Sequence, residues 1–207
     1  VALVQLPLLT KRLGADDYGI WVQVSVTVNL ILPFTRLGLG GAMVRFLAAE
    51  KNREEIQEGF YSVLAVSFAV HLIAALIVIA LASPLAVNFF DGAGQIVRMT
   101  GILVLLTPLF EIYLNLIRTF RQITRYSIIM TADACIQLGA IAYLVLNGYG
   151  VFSLVLSMLV IRAIILLVLF FMIKSQIGIK RPHFYRLREF FSFGLPLVPQ
   201  GIAFWLV

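Results

Sequence analysis

The sequence predicts an all-α, polytopic transmembrane helical bundle, and three observations support that fold class. Of its 207 residues, 61% are hydrophobic and only 13% are charged, whereas about a quarter of the residues in an average soluble domain are charged. The mean hydropathy is +1.01. Five apolar runs also reach the roughly 20 residues that a membrane-spanning helix needs. With one Cys and two His, the chain cannot form a disulfide framework or a Cys/His zinc site, so we expect no metal and no cofactor.

Short turns separate the apolar runs. Gly, Asn and Asp, which favour turns, cluster between consecutive runs, as at 14–17 and 147–150. We expect residues 1–173 to form a first lobe of six spans, 174–189 a basic linker, and 190–207 the start of span seven in a second lobe. Both ends lie inside apolar runs, so we expect the chain to be the N-terminal half of a longer protein. The first, incomplete run covers about 1–10, and the complete runs cover about 18–35, 59–82, 96–117, 126–146 and 149–173.

One stretch favours a different fold. From Trp21 to Asn29, polar and apolar residues alternate, which is the pattern of a strand or of a segment in an outer-membrane barrel. Barrel strands are about 10 residues of alternation, but the runs at 72–82 and 154–173 are almost continuously apolar. We therefore interpret the alternation as part of a helix with polar groups on several faces.

Positive charge predicts the orientation. The loops 36–58, 118–125 and 174–189 carry twelve of the 16 Lys and Arg residues, while Lys11, Arg12 and Arg98 lie in the opposite loops. Loops rich in Lys and Arg stay in the cytoplasm, so we expect these three loops on the cytoplasmic face of a multi-pass protein of the cell membrane. The net charge of +6 then requires no nucleic acid, and the 174–189 segment is expected to contact anionic membrane lipids.

Three charged residues lie inside predicted spans: Glu111, Asp133 and Arg162. Charges in a bilayer are costly and usually face a cavity or one another. Asp133 lies 14 residues before Asn147, and Arg162 lies 13 residues after Tyr149. The two side chains therefore reach nearly the same depth in an antiparallel hairpin, and we expect them to be able to pair.

Glu111 is expected in the same layer. Glu111 and Asp133 are equally far along the chain from Gln122, in the middle of the loop between spans four and five. An arginine at that depth would face two carboxylates. Polar residues also recur at steps of three and four, one face of a helix, and two such seams predict a water-accessible cleft. The seams are Thr107, Glu111, Asn115, Arg118 and Gln122 on span four, and Tyr126, Met130, Asp133 and Gln137 on span five.

Three segments carry a family resemblance. Residues 6–21 read LPLLTKRLGADDYGIW, residues 37–46 read LGLGGAMVRF, and residues 193–199 read FGLPLVP. Together they resemble the polysaccharide and O-antigen (Wzx-like) flippases of the multidrug/oligosaccharidyl-lipid/polysaccharide exporter superfamily. That family has twelve or more spans in two six-helix halves. The resemblance implies translocation of a polyprenyl-diphosphate-linked oligosaccharide by alternating access, in polysaccharide or lipopolysaccharide biosynthesis, with no enzymatic reaction. A glycan polymerase or glycosyltransferases of the same pathway are possible partners.

In this interpretation arginines bind the diphosphate of the lipid carrier, because a guanidinium makes bidentate contacts with phosphate. The candidates are Arg162, Arg118, and Arg36 and Arg45 near the cytoplasmic mouth. The alternative role for Arg162 is a purely structural ion pair with Asp133. Glu111, Asp133 and His71 are candidates for a buried charge or for coupling, and His71, near the middle of span three, has a purely packing role as its alternative.

Other functions remain open at the sequence level. A cation-coupled multidrug exporter of the same superfamily would share the fold, with carboxylates rather than arginines dominating its cavity. A membrane enzyme that modifies glycans would need clustered Asp, Glu or His at a membrane face, which the sequence lacks. The fourth function that remains open is a structural or assembly component that transports nothing. Only the charged residues inside the spans argue against it.

Overall fold

The computed structural model describes residues 2–50, 52–182, 184 and 187–199. Most of these residues are helical, and no strand occurs within the described ranges. The predicted all-α class is therefore confirmed, and the alternating stretch Trp21–Asn29 lies inside a helix. Three predicted features lie outside the described residues: the basic side chains of Lys51 and Arg186, and the 200–207 part of span seven.

The helices are numbered in chain order. They are α1 (Ala2–Arg12), α2 (Ala15–Thr35), α3 (Leu39–Leu47), α4 (Arg53–Ala80), α5 (Ala82–Phe89), α6 (Gly94–Thr119), α7 (Ile123–Leu146), α8 (Val151–Ile177) and α9 (Leu187–Gly194). A 3-10 turn, Leu195–Leu197, follows α9. Five of these helices, α2, α4, α6, α7 and α8, are long and apolar enough to cross a membrane. Each holds most of one predicted run, so the chain is a multi-pass membrane protein.

Local chemistry sets the helix ends. Asn52 caps α4, because its side-chain oxygen accepts a hydrogen bond from the Glu54 amide at 3.0 Å, and Glu54 and Glu55 in the first turn complement the positive end of the helix dipole. Gly178 ends α8 with a φ of 79°, a conformation that glycine adopts without penalty. The apolar run 59–82 does not form one helix to its end, since α4 stops at Ala80 and the short α5 follows.

Helix α6 is the centre of the bundle. In its most apolar stretch 67% of the residues are buried, against 28% or less in the other four spans, and α6 packs against α2, α3, α4, α5, α7 and α8. Two apolar clusters surround it. One contains Phe60 and Leu116, and the other contains Trp21 and Leu154. The buried polar side chains that line the cavity described below are Ser67 and His71 on α4 and Asp133 on α7.

Two of the three predicted basic loops meet at one end of the bundle, which we call the basic end. The Lys180 ammonium lies 2.9 Å from a Glu58 carboxylate oxygen and 3.3 Å from one of Glu54. Arg53 donates a hydrogen bond to the Gln176 carbonyl oxygen. The residues after α8 are therefore fastened to the first turns of α4, and the ends of alternate helices gather as the charge pattern predicts.

Candidate functional site

A polar cavity of about 480 Å³ lies among the helices beside α6. Its wall combines charged, amide and aromatic side chains with glycine backbone. Most of both predicted polar seams line it, and only Gln122 and Gln137 of the nine seam residues do not. The lining residues are Arg36, Gly38, Gly40, Gly41, Ser67, His71, Thr107, Pro108, Phe110, Glu111, Ile112, Leu114, Asn115, Arg118, Tyr126, Met130, Asp133 and Arg162.

The predicted contact between Asp133 and Arg162 is present. Nη1 of Arg162 lies 3.4 Å from Oδ2 of Asp133, and the two side chains are only 13% and 11% exposed. Gln137, one turn further along α7, donates to the other carboxylate oxygen at 2.8 Å. On its other side the Arg162 guanidinium lies 4.1 Å from the ring centroid of Phe110, within the range of a cation–π contact. Each charged side chain therefore has a second contact besides the ion pair, Asp133 with Gln137 and Arg162 with Phe110.

Glu111 has its own partner. Nη2 of Arg36 lies 2.5 Å from Oε1 of Glu111, so the layer contains a second ion pair that was not predicted from the sequence. Arg36 directly follows the last residue of α2, in the turn that precedes α3. Leu37 and Gly38 both have positive φ, 51° and 65°, and this turn brings the side chain of Arg36 to Glu111.

The turn between α2 and α3 also places backbone atoms in the cavity wall. Gly38, Gly40 and Gly41 line it at the N-terminus of α3. Gly38 is the N-cap and no side chain caps the helix. The first amides of a helix carry partial positive charge. A Cβ on Gly40 would lie 2.5 Å from Nδ2 of Asn115, so glycine allows α6 to approach this point closely.

Arg118 is the cationic side chain of the cavity that has no carboxylate partner among the described residues. It contacts the side-chain oxygen of Asn115 at 3.4 Å, and its guanidinium lies 5.6 Å from the Tyr126 ring centroid. It is exposed and sits in the last turn of α6. Its charge is therefore the most available one for an anion entering from the basic end.

Arg45, the fourth predicted arginine, does not line the cavity. Its guanidinium lies 4.5 Å from the ring centroid of Phe193 and 6.0 Å from that of Phe46. These contacts help to hold α9 against α3. Arg45 is predicted together with the other three arginines because it lies in the same predicted loop as Arg36. In the structure Arg45 lies on α3 whereas Arg36 precedes this helix, and the two side chains contact different neighbours.

His71 lies in the wall formed by α4 and is 1% exposed. Its Nδ1 lies 2.6 Å from the carbonyl oxygen of Ser67, one turn earlier, and 3.2 Å from the Ser67 hydroxyl. A carbonyl oxygen only accepts, so Nδ1 carries the proton. Nε2 is buried and has no hydrogen-bond partner in the described part of the chain.

Three contributions to the cavity were not predicted from the sequence. Phe110 faces Arg162, Ser67 holds the His71 ring, and the α3 backbone forms part of the wall. Ser67 and His71 are one helical turn apart, a spacing that does signal a shared face. No sequence signal distinguishes Phe110 from the many other phenylalanines, because its role depends on which helix packs against it.

A second cavity, of about 550 Å³, lies between α4, α6 and α8 near the basic end. Its lining is apolar, with Tyr61 and Tyr113 as the polar exceptions, and the Tyr61 hydroxyl already donates to the Gly178 carbonyl oxygen at 2.6 Å. Among the residues that the structure describes, no charged side chain lines this cavity, so we take the polar cavity as the candidate functional site.

Comparison with known proteins agrees with the resemblance seen in the sequence. Residues 8–207 match the family described as polysaccharide biosynthesis protein. No curated protein and no solved structure matches the chain. Because the match covers nearly the whole chain, and the five long apolar helices fit the membrane location, this multi-pass membrane protein belongs to the polysaccharide biosynthesis protein family.

Proposed function

We propose that the chain is part of a flippase that translocates a polyprenyl-diphosphate-linked oligosaccharide across the cytoplasmic membrane by alternating access, without enzymatic chemistry. The observation that carries the proposal is the charge of the polar cavity. Three arginines and two carboxylates line it, which leaves an excess of positive charge at the depth of the membrane-spanning helices. A diphosphate is the part of such a substrate that most needs compensation inside a membrane.

The three arginines of the cavity differ in how readily they can bind an anion. Arg118 has no carboxylate partner among the described residues, so we propose that it contacts the diphosphate first. Arg36 and Arg162 are engaged with Glu111 and Asp133 and would have to exchange a carboxylate for a phosphate. Such an exchange replaces one charge-assisted hydrogen bond by another of similar strength, which allows binding and release. The N-terminus of α3 adds favourable dipoles.

The wider organisation follows from the same proposal. Residues 1–173 would form the first lobe, 174–189 a linker, and 190–207 the beginning of a second lobe that completes the cavity. The loops 36–58, 118–125 and 174–189 would face the cytoplasm in the cell membrane, with the last of them against anionic lipid head groups. Enzymes that build or polymerise the glycan would be its partners in the pathway.

Multidrug export is the second candidate, and one observation favours it. Glu111 and Asp133 both line the cavity, as a site for an organic cation requires. Each carboxylate, however, is neutralised by an arginine, so a cation would have to displace a guanidinium and would meet the charge of Arg118. The arrangement therefore favours an anionic substrate.

Translocation by the full-length protein tests the proposal. In proteoliposomes containing a lipid-linked oligosaccharide, we expect transfer between leaflets, measured by lectin capture of the glycan that becomes accessible. Arg118→Ala should reduce the rate about tenfold or more, since a charge-assisted hydrogen bond contributes about 1.5–3 kcal/mol. Arg125→Ala is the matched control, because Arg125 is exposed near the same end, pairs with Gln122 and does not line the cavity.

Two results would overturn the proposal. One is equal transfer by wild type and Arg118→Ala, which would remove the cavity from the path. The other is transport of organic cations that survives Arg118→Ala and is lost in Glu111→Gln, which would establish drug export instead.

A further inference from the structure

The unpaired Nε2 of His71 is the starting point. It is buried, and among the described residues only one other side-chain atom, Oε1 of Gln176, shares the property of being buried without a hydrogen-bond partner. Buried polar groups nearly always have a partner, and an exception needs an explanation. Because the His71 ring lines the polar cavity, an occupant of that cavity is the natural partner.

The tautomer determines which partner fits. Nδ1 lies 2.6 Å from the Ser67 carbonyl oxygen and must donate to it, so in a neutral imidazole Nε2 has a lone pair and accepts. A diphosphate offers only acceptor oxygens. A hydroxyl group can donate. Nε2 of neutral His71 therefore suits a sugar hydroxyl and not the phosphate that the arginines would bind.

The positions of Arg118 and His71 in the cavity agree with separate sites for the diphosphate and for the sugar. Arg118 lies in the last turn of α6, toward the basic end. His71 lies in the second half of α4, and because α4 begins at the basic end, it lies deeper in the bundle. A substrate with its diphosphate at Arg118 would then have its attached sugars available to the α4 wall.

We propose that His71 accepts a hydrogen bond through Nε2 from a sugar hydroxyl group next to the diphosphate, so that the α4 wall is a glycan subsite. The inference rests on the proposed function, because it requires a lipid-linked glycan in the cavity. His71 then distinguishes a glycosylated carrier from a bare lipid diphosphate. The bond between Nδ1 and Ser67 fixes the ring and keeps the lone pair on Nε2.

His71→Asn is the informative variant. An asparagine amide can still donate to the carbonyl one turn earlier, as Asn88 and Asn147 do in this chain at 2.7 Å, but it has no acceptor at the position of Nε2. His71→Gln extends an amide oxygen toward that position and serves as the rescue variant. Comparing the melting temperatures of both variants with that of wild type checks that each is folded.

The experiment measures calorimetric binding of two probes to the full-length protein in detergent. The probes are farnesyl diphosphate and farnesyl diphosphate carrying one glucose on its terminal phosphate. We expect His71→Asn to weaken binding of the glucosylated probe by about three- to tenfold, the value of one neutral hydrogen bond, and to change binding of farnesyl diphosphate by less than about twofold. His71→Gln should restore most of the loss.

Each alternative outcome has a definite meaning. Equal weakening of both probes in His71→Asn, or no weakening of either, would overturn the glycan subsite and leave the proposed function intact. Failure of the wild type to bind either probe would overturn the proposed function and the subsite together. A loss for the glucosylated probe that Gln does not rescue would also count against acceptance by Nε2.

Discussion

Asp133 on α7 and Arg162 on α8 form an ion pair at 3.4 Å across the tight turn that joins the two helices. The contact lies near the middle of both helices, and little of either side chain is exposed. Gln137 and Phe110 complete the surroundings of the two charges. The pair therefore fixes α7, the least buried of the five spans, to its neighbour.

Removing one member of this pair should destabilise the protein. Asp133→Ala leaves the Arg162 charge without its carboxylate, and breaking a buried pair in this way costs about 3–5 kcal/mol; residual exposure and the contact with Phe110 bring our expectation to roughly 3 kcal/mol. The double variant Asp133→Leu with Arg162→Met should recover most of the loss, because it buries no unpaired charge. Asp16→Ala, at an exposed carboxylate in the first turn of α2, is the control.

Thermal unfolding in detergent measures this series. If Asp133→Ala unfolds at the wild-type temperature, then the pair does not hold the helices together. If the double variant unfolds as early as Asp133→Ala, then the loss does not come from the unpaired Arg162 charge. A double variant that is stable but inactive would show that the pair has a role in transport as well as in stability.

The close contact between α3 and the residues that end α9 should be sensitive to single methyl groups. A Cβ on Gly194 would lie 2.5 Å from the carbonyl oxygen of Leu37, and a Cβ on Gly38 would collide with the Gly194 backbone. We expect Gly194→Ala to destabilise the protein by about 1–3 kcal/mol, the usual cost of overpacking. Gly38→Ala should cost more, because its φ of 65° also disfavours alanine.

Gly139→Ala is the matched control for these two variants. Gly139 lies within α7, and a Cβ added there would have no other atom within 4 Å, so alanine should be neutral or slightly stabilising at this position. Hydrogen exchange of the α9 amides locates the effect. Unchanged exchange in Gly194→Ala would mean that α9 does not depend on this contact.

The position of the helices and the Asp133–Arg162 pair could be predicted from the sequence, but the Arg36–Glu111 pair could not. Span lengths follow from apolar runs, and a short turn fixes which residues of adjacent spans reach the same depth. Arg36 reaches Glu111 only because α2 ends before the turn formed by Leu37 and Gly38, which both have positive φ. The turn also packs closely against Gly194, more than 150 residues away in the sequence, a contact that no local pattern predicts.

Lys180 should give the attachment of the linker to α4 a characteristic pH dependence. Its hydrogen bond to Glu58, and then its interactions with Glu54, raise the pKa of the ammonium above the ordinary value of 10.5. A raised lysine pKa in the folded protein means that the stabilisation is complete below the unfolded value and is lost as the pH rises through the folded value. Lys180→Met should therefore lower the melting temperature at pH values near 8 and have little effect at strongly alkaline pH.

Lys174→Met is the comparison for Lys180→Met, since Lys174 is exposed and has no ion pair among the described residues. The two variants are melted side by side across the alkaline range. A difference between Lys180→Met and wild type that persists unchanged through the alkaline range would show that the ammonium charge is not the cause.

The orientation can be tested by labelling single cysteines in whole cells. With Cys135→Ser as background, Arg121→Cys in the basic loop between α6 and α7 should resist a membrane-impermeant maleimide until the cells are opened. Asn147→Cys, in the turn between α7 and α8, should react in intact cells. The reverse pattern would contradict the assignment of the basic end to the cytoplasm.

Photolabelling of the full-length protein tests the central claim, that the polar cavity binds the diphosphate of a lipid carrier. A farnesyl diphosphate analogue with a diazirine next to the diphosphate should label residues of the cavity wall, Tyr126 or Met130 among them. Unlabelled farnesyl diphosphate should compete and farnesol should not, and Arg118→Ala should reduce the labelling. Labelling confined to exposed apolar residues outside the cavity, such as Ile164 and Val168, with equal competition by farnesol, would contradict the account.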